Sequence, residues 1–167
     1  IHDTFLETFL SEVKKLKSGD GFDKSSHLGP MVSKKSVEKI ERLIANALKL
    51  GGKLETGGQK LPGTFFPATV ISNAHHGMDL AKEEIFGPIA AIYTFKNDEE
   101  AIKLANQTNY GLGAFFYTND NSRIWKVSDA LEYGIIGINE SSFATEVAPF
   151  GGIKDSGFGK EGSHLGI

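Results

Sequence analysis

Apolar residues recur at helical spacing from the first residues of the chain. Phe5, Leu6, Phe9, Leu10, Val13 and Leu16 share one side of a helix expected over residues 3–16, with Asp3 as its N-cap. The loop KSGDGFDKSSHLGP follows. Val37, Ile40, Leu43, Ile44, Ala47 and Leu48 form a second stripe, predicting a helix over residues 33–50 that Gly51-Gly52 ends. GGKLETGGQKLPG reads as a short strand between turns, and FFPATVIS as a strand, with Pro67 favouring an edge or a strand start. HHGMDLAKEEIFGP reads as loop, and IAAIYTF as a continuous apolar run of buried-strand length. Asp98 is expected to cap a helix reaching Asn106, and GAFFYTN to form a strand. A helix is then expected over residues 122–133, with Ile124, Trp125, Val127 and Leu131 inward and Gly134 as its stop. IIGIN reads as a strand, and the segment from Glu140 onward as glycine-rich loop.

From Ile89 the order is strand, helix, strand, helix, strand. Helices of that length between apolar strands imply βαβ units with parallel pairing and right-handed crossovers. The expectation is an α/β fold with a mostly parallel sheet and helices on both faces. There is no internal repeat, no low-complexity segment and no linker marking a second domain, so residues 1–167 read as one unit.

Composition adds exclusions. The 167 residues are 40% hydrophobic and 23% charged, which is globular, and the formal net charge of -3 gives no electrostatic case for nucleic acid. Lysines are interspersed with acids rather than gathered in a stripe. The apolar runs are too short to span a membrane, and the amphipathic start is unlike a signal peptide. Neither nucleic acid nor a membrane is therefore an expected partner. The chain has no cysteine, which excludes a disulfide, a thiolate metal site or a thiol nucleophile within these residues and fits a reducing, cytoplasmic setting. It starts at Ile1 rather than Met and enters a helix at once, as a piece of a longer protein would.

Few motifs carry chemistry. Residues 157–162, GFGKEG, spell G-x-G-x-x-G, but the dinucleotide fingerprint needs a strand before it and a helix opened by it, and only loop is expected on the upstream side. The plainer readings are a flexible glycine loop or a pocket wall. His75 and His76 are adjacent rather than four residues apart, so they read as solvated loop histidines, and no metal site is expected. No G-x-S-x-G elbow or phosphate-binding Gly-Lys-Ser/Thr is present. That leaves KEEIFGP, residues 82–88, at the mouth of an apolar strand. A carboxylate in that place can accept two hydrogen bonds from a diol such as a ribose, and Phe86 can offer a flat apolar face. The ordinary alternative is a solvated loop acid.

Taken together, LAKEEIFGPIAAIYTF, EEAIKLANQTNYGLGAFFYT and APFGGIKDSGFGKEGSHLGI resemble the aldehyde dehydrogenase superfamily, and LGPMVSKKSVEKIERLIANALKLGGKLETGG extends the match over essentially the whole chain. NESSFATEVAPFGG and the terminal block look most like its succinate-semialdehyde dehydrogenase branch. The resemblance implies a part of an NAD(P)+-dependent enzyme that oxidises an aldehyde, succinate semialdehyde being one candidate, to a carboxylate. In such enzymes a cysteine thiolate attacks the aldehyde, hydride passes to nicotinamide, and a glutamate activates the water that hydrolyses the thioester. The family's cysteine, base and Rossmann domain lie upstream of the segment resembling IHDTFLETFL, and its oligomerisation strand lies downstream. The resemblance therefore implies a partial catalytic domain over 1–167, inactive alone, from an enzyme that is a homodimer or homotetramer.

Carried over by position, Glu84 resembles the acid that holds the nicotinamide-ribose hydroxyls of NAD or NADP, and Phe86 the aromatic that packs beside it. Glu83 reads as its solvated neighbour. Phe150 resembles a substrate-tunnel aromatic. Glu161 resembles a second acid sometimes linked to a proton relay. Ala144 stands at a substrate-contact position where succinate-semialdehyde enzymes commonly carry serine. Alanine cannot donate a hydrogen bond, and Thr145 and Ser142 are the neighbouring hydroxyls. Two other readings stay open: a non-catalytic interaction module, and a weak nucleotide binder.

Overall fold

The computed structural model describes residues 1–142 and 145–166, with only the backbone of Leu165. The chain divides into two compact units, Ile1–Thr94 and Phe95–Ile167.

In the first unit, α1 (His2–Val13) and α2 (Lys34–Lys49) precede a three-stranded sheet of β1 (Lys53–Thr56), β2 (Thr69–Ser72) and β3 (Ile89–Ala91) in the order β1-β2-β3. Ser33 caps α2, its hydroxyl accepting from the Ser36 amide at 3.1 Å. This satisfies one of the amides that a helix start leaves unpaired. The expected stripe Val37, Ile40, Leu43, Ile44 and Ala47 is buried, joined by Phe66, Ile71, Ala74, Met78 and Leu80. Leu48, expected in the stripe, is exposed at the helix end. Helix α1 begins one residue before Asp3, which lies in its first turn and does not cap it. Phe5 and Phe9, one turn apart, stack with ring centroids 5.6 Å apart.

Strand β2 pairs antiparallel with β1 and parallel with β3, and all four of its residues are buried. A strand with a neighbour on each side and a helix against a face has little solvated surface, so its polar ends Thr69 and Ser72 are buried along with Val70 and Ile71. The run IAAIYTF was expected to be a buried strand; only Ile89–Ala91 pair as strand, and they are half-buried. Two further backbone bonds extend the pairing, from the Ile92 amide to the Ile71 carbonyl at 2.8 Å and from the Ala74 amide to the Ile92 carbonyl at 3.1 Å. Strand β2 lines one side of β3.

In the second unit, α3 (Asp98–Asn106), β4 (Tyr110–Gly111), β5 (Gly113–Phe116), α4 (Asn121–Ala130), β6 (Ile135–Ile138) and β7 (Ile153–Lys154) follow in order. Strands β5 and β6 pair in parallel across α4, the βαβ unit that the pattern predicts. Strands β4 and β7 pair antiparallel, so the segment expected to be wholly loop supplies a strand. The α/β class holds, but among the described residues the strands form three small sheets rather than one, with two parallel and two antiparallel pairs. Asn97, one residue earlier than expected, caps α3 by accepting from the Glu100 amide at 2.9 Å. Asp120 caps α4 through the Ser122 amide at 2.8 Å.

Two expectations about α4 change. Trp125 is 72% exposed, because it stands one residue, about 100°, off the half-buried stripe of Ile124, Val127 and Leu131. The helix ends at Ala130, and its end is held by Asn106, whose amide group donates to the Ala130 carbonyl at 2.8 Å and accepts from the Glu132 amide at 2.9 Å. Gly134 is therefore not the stop. Its α-carbon lies so near the Gly151 carbonyl that no Cβ fits between them. Among the described residues no helix is long and apolar enough to cross a membrane.

Candidate functional site

Residues 79–88 run from a single 3-10 turn, Asp79–Ala81, to the start of β3. Their backbone is fixed at successive points. The side chains of Leu80 and Ile85 belong to the core of the first unit. Gly87 lies directly on Ile40, where a Cβ would collide with the isoleucine side chain. The Pro88 carbonyl accepts from the Thr69 amide at 2.8 Å, and the Ile89 amide donates to the Gly87 carbonyl at 2.8 Å.

Polar anchors come from α2. Lys39 donates from its ammonium to the Glu84 backbone carbonyl. Arg42 donates to Asp79 Oδ2 at 3.2 Å and to Glu83 Oε2 at 2.6 Å. Asn46 accepts from the Asp79 amide at 3.0 Å. Positions 39, 42 and 46 recur every three or four residues, so they form one polar row beside the buried stripe of the same helix. In the sequence this row looks like an ordinary solvated face; only the packing of the loop against α2 gives it partners.

Glu83 is thus not merely a solvated neighbour. Its hydrogen bond to Arg42 holds its carboxyl below the usual glutamate range, and the same bond raises the Arg42 guanidinium. A favoured carboxylate contributes stability above its unfolded pKa and loses it as pH falls through the lowered folded value.

Two groups of the loop remain outward. The Glu84 carboxylate is exposed, and among the described residues no side chain pairs with it. Phe86 is 80% exposed, with φ of 47°, the left-handed region that a bulky L-residue enters only when its surroundings hold it there. Packed Ile85 and the tight Gly87 supply that constraint. The result is a carboxylate and an aromatic ring, two residues apart, carried outward on an anchored backbone. A carboxylate so presented can accept both hydroxyls of a vicinal diol, and the ring can cover a flat group beside it.

In the second unit, Phe150 and Glu161 face each other in an antiparallel bridge, the Phe150 amide donating to the Glu161 carbonyl at 2.8 Å and the Glu161 amide returning the bond at 2.6 Å. No local pattern joins these two residues, which stand eleven apart within the glycine-rich segment. Phe150 is half-buried and Glu161 exposed. Thr145 is exposed, its hydroxyl near the Val147 amide at 3.5 Å. Ala144 lies outside the described residues.

The glycine run 157–162 folds back on residues 148–152: Lys160 donates to the Gly151 carbonyl at 2.9 Å, and Gly162 lies against the Ala148 carbonyl. It follows the two-residue strand β7 and, among the described residues, leads into a 3-10 turn, Ser163–Leu165, so what the structure shows of the run is close packing on residues 148–152. His75 is likewise structural, accepting from the Gly77 amide at 3.1 Å and approaching the Leu50 carbonyl at 3.1 Å, while the His76 ring lies 5.4 Å from that of Tyr93.

The loop that enters β3 thus carries an outward carboxylate and an outward aromatic ring two residues apart, groups chemically suited to a diol and a flat ring. Comparison with known proteins defines the class further. The profile of the aldehyde dehydrogenase family matches residues 1–167, and the chain belongs to that family. It is 46% identical to the mitochondrial succinate-semialdehyde dehydrogenase of Arabidopsis thaliana, over all of this chain and 32% of that protein. It is 44% identical to the NADP(+) succinate-semialdehyde dehydrogenase of Escherichia coli strain K12, over all of this chain and 35% of that protein. The crystal structure of succinate-semialdehyde dehydrogenase from Burkholderia pseudomallei superposes with a TM-score of 0.96 at 46% identity, covering 99% of this chain and 35% of that one. The chain thus spans about a third of the length of the relatives it matches.

Proposed function

We propose that residues 1–167 are part of the catalytic domain of an NAD(P)+-dependent aldehyde dehydrogenase that oxidises an aldehyde to a carboxylate, with succinate semialdehyde as the first substrate to try. The observation that carries this reading is the anchored loop with its two outward groups, the free Glu84 carboxylate and the exposed Phe86 ring. The bound cofactor supplies the hydride acceptor. Glu84 accepts hydrogen bonds from the two hydroxyls of its nicotinamide ribose, and Phe86 packs against the ribose and the ring. In the second unit Phe150 and Thr145 contact the aldehyde, position 144 is a further substrate-contact position by resemblance, and Glu161 serves as a proton-relay acid. The names of the relatives support the substrate. Ala144 argues the other way, since its methyl group cannot donate to a substrate carboxylate. The intact enzyme on this reading is a cytoplasmic homodimer or homotetramer.

Chemistry cannot be completed within these residues, which contain no cysteine to form the acyl-enzyme. The isolated chain is expected to give no aldehyde-dependent reduction of NAD+ or NADP+. In the intact protein that carries this segment, Glu84→Gln is expected to weaken NAD(P)+ binding about tenfold, the loss of roughly one charge-assisted hydrogen bond. Unchanged binding would remove Glu84 from the cofactor site. Turnover by the isolated chain would overturn the assignment as a partial domain.

A further inference from the structure

We propose that Arg42 is a positioning residue, holding Glu83 and Asp79 so that Glu84 and Phe86 stand where the cofactor needs them; this rests on the reading of that loop as cofactor-binding. Arg42 stands on α2 beside Leu43, which is fully buried, so its α-carbon is fixed by the core of the first unit. Its two terminal nitrogens reach carboxylates at both ends of a short stretch, Asp79 at 3.2 Å and Glu83 at 2.6 Å. A guanidinium offers donors in a rigid planar fork, so it fixes the two acids relative to each other as well as to the helix. An ammonium, as a point charge, would hold them without that geometry.

The arrangement also explains the acid pair. Adjacent carboxylates repel each other and compete for any nearby cation. The nearest guanidinium is bonded to Glu83. Glu84 keeps an unshared carboxylate, while Lys39 holds only its backbone carbonyl. One acid fixes the loop; the other is left for a ligand. Because Glu83 and Glu84 share a peptide bond, releasing the first frees the backbone that aims the second.

The test uses the intact protein, with dissociation constants for NAD+ and NADP+ from calorimetric titration alongside steady-state kinetics. Arg42→Met is expected to raise the cofactor dissociation constant and KM about tenfold, the scale of a small misplacement of a binding group, while the aldehyde KM stays put. Arg42→Lys should fall between wild type and Arg42→Met. Glu83→Gln, a near-isosteric change at the surface, should move cofactor binding the same way and carries the test even where Arg42→Met does not fold. Adding Arg42→Met to Glu83→Gln should then cost less than the sum of the two single changes, since they share the Arg42–Glu83 contact and only the Asp79 contact remains to be lost. Cofactor binding within twofold of wild type in Glu83→Gln and in a folded Arg42→Met would overturn the proposal, as would an aldehyde KM that rises in step. Glu84→Gln is the control: weak binding there with normal binding in the other two sinks the role of Arg42 alone, and normal binding in all three sinks the cofactor reading with it.

Discussion

Gly87 illustrates how a single residue sets the candidate site. A Cβ built on it would meet the side chain of Ile40, which is fully buried. A methyl group there overpacks the core or lifts the loop off the helix. Gly87→Ala should therefore destabilise the chain by about 1–3 kcal/mol, read as a lower denaturation midpoint in urea. Motif reading picks out Gly87 only as half of a Gly-Pro turn; the close approach that excludes a side chain is a property of the packed helix and loop. KEEIFGP is legible as a loop with an acid pair and an aromatic ring, but residue type leaves Glu83 and Glu84 equivalent, and only the family resemblance singles out Glu84. Arg42 is not legible, since it lies 41 residues before Glu83 and no local pattern joins them.

Among the elements, α2 was the most legible. Its apolar stripe has period 3.6, and Ser33 is a common capping type. Its two faces do separate work: one packs the core, and the other anchors the loop through Lys39, Arg42 and Asn46. Core and cap should differ in magnitude. Leu43→Ala leaves a cavity at a fully buried site and should cost about 2–5 kcal/mol. Asn97→Ala removes only the cap of α3 and should cost about 1 kcal/mol. Equilibrium unfolding of the two variants checks both, and equal losses would contradict the difference in burial. The run IAAIYTF predicts a longer strand than the three paired residues Ile89–Ala91, because an apolar run reports burial by any neighbour and not pairing by a strand.

Across the whole chain, burial is uneven. The buried hydrophobic side chains, from Val13 to Leu80, belong to the first unit, while α3 and α4 bury none of their described residues. The second unit relies more on backbone approach at Gly134 and Gly151 and on polar links, such as the Tyr133 hydroxyl donating to the Ala105 carbonyl at 2.6 Å. Local stability tracks buried apolar contact. Amide exchange of the isolated chain should therefore be slowest in α2 and β2 and distinctly faster in α3 and α4; equal protection would show that the second unit has another source of stability.

The sequence by itself determined the helices, the α/β order and the loop that carries an acid pair beside an aromatic ring. Those depend on residue type and local period, which a chain carries before it folds. Tertiary structure decided which strands pair, that Phe150 faces Glu161, that Trp125 lies outside, and that Glu83 belongs to Arg42. Each of those joins residues far apart in the chain or depends on which face a neighbour covers, and such contacts exist only once loop and helix have packed.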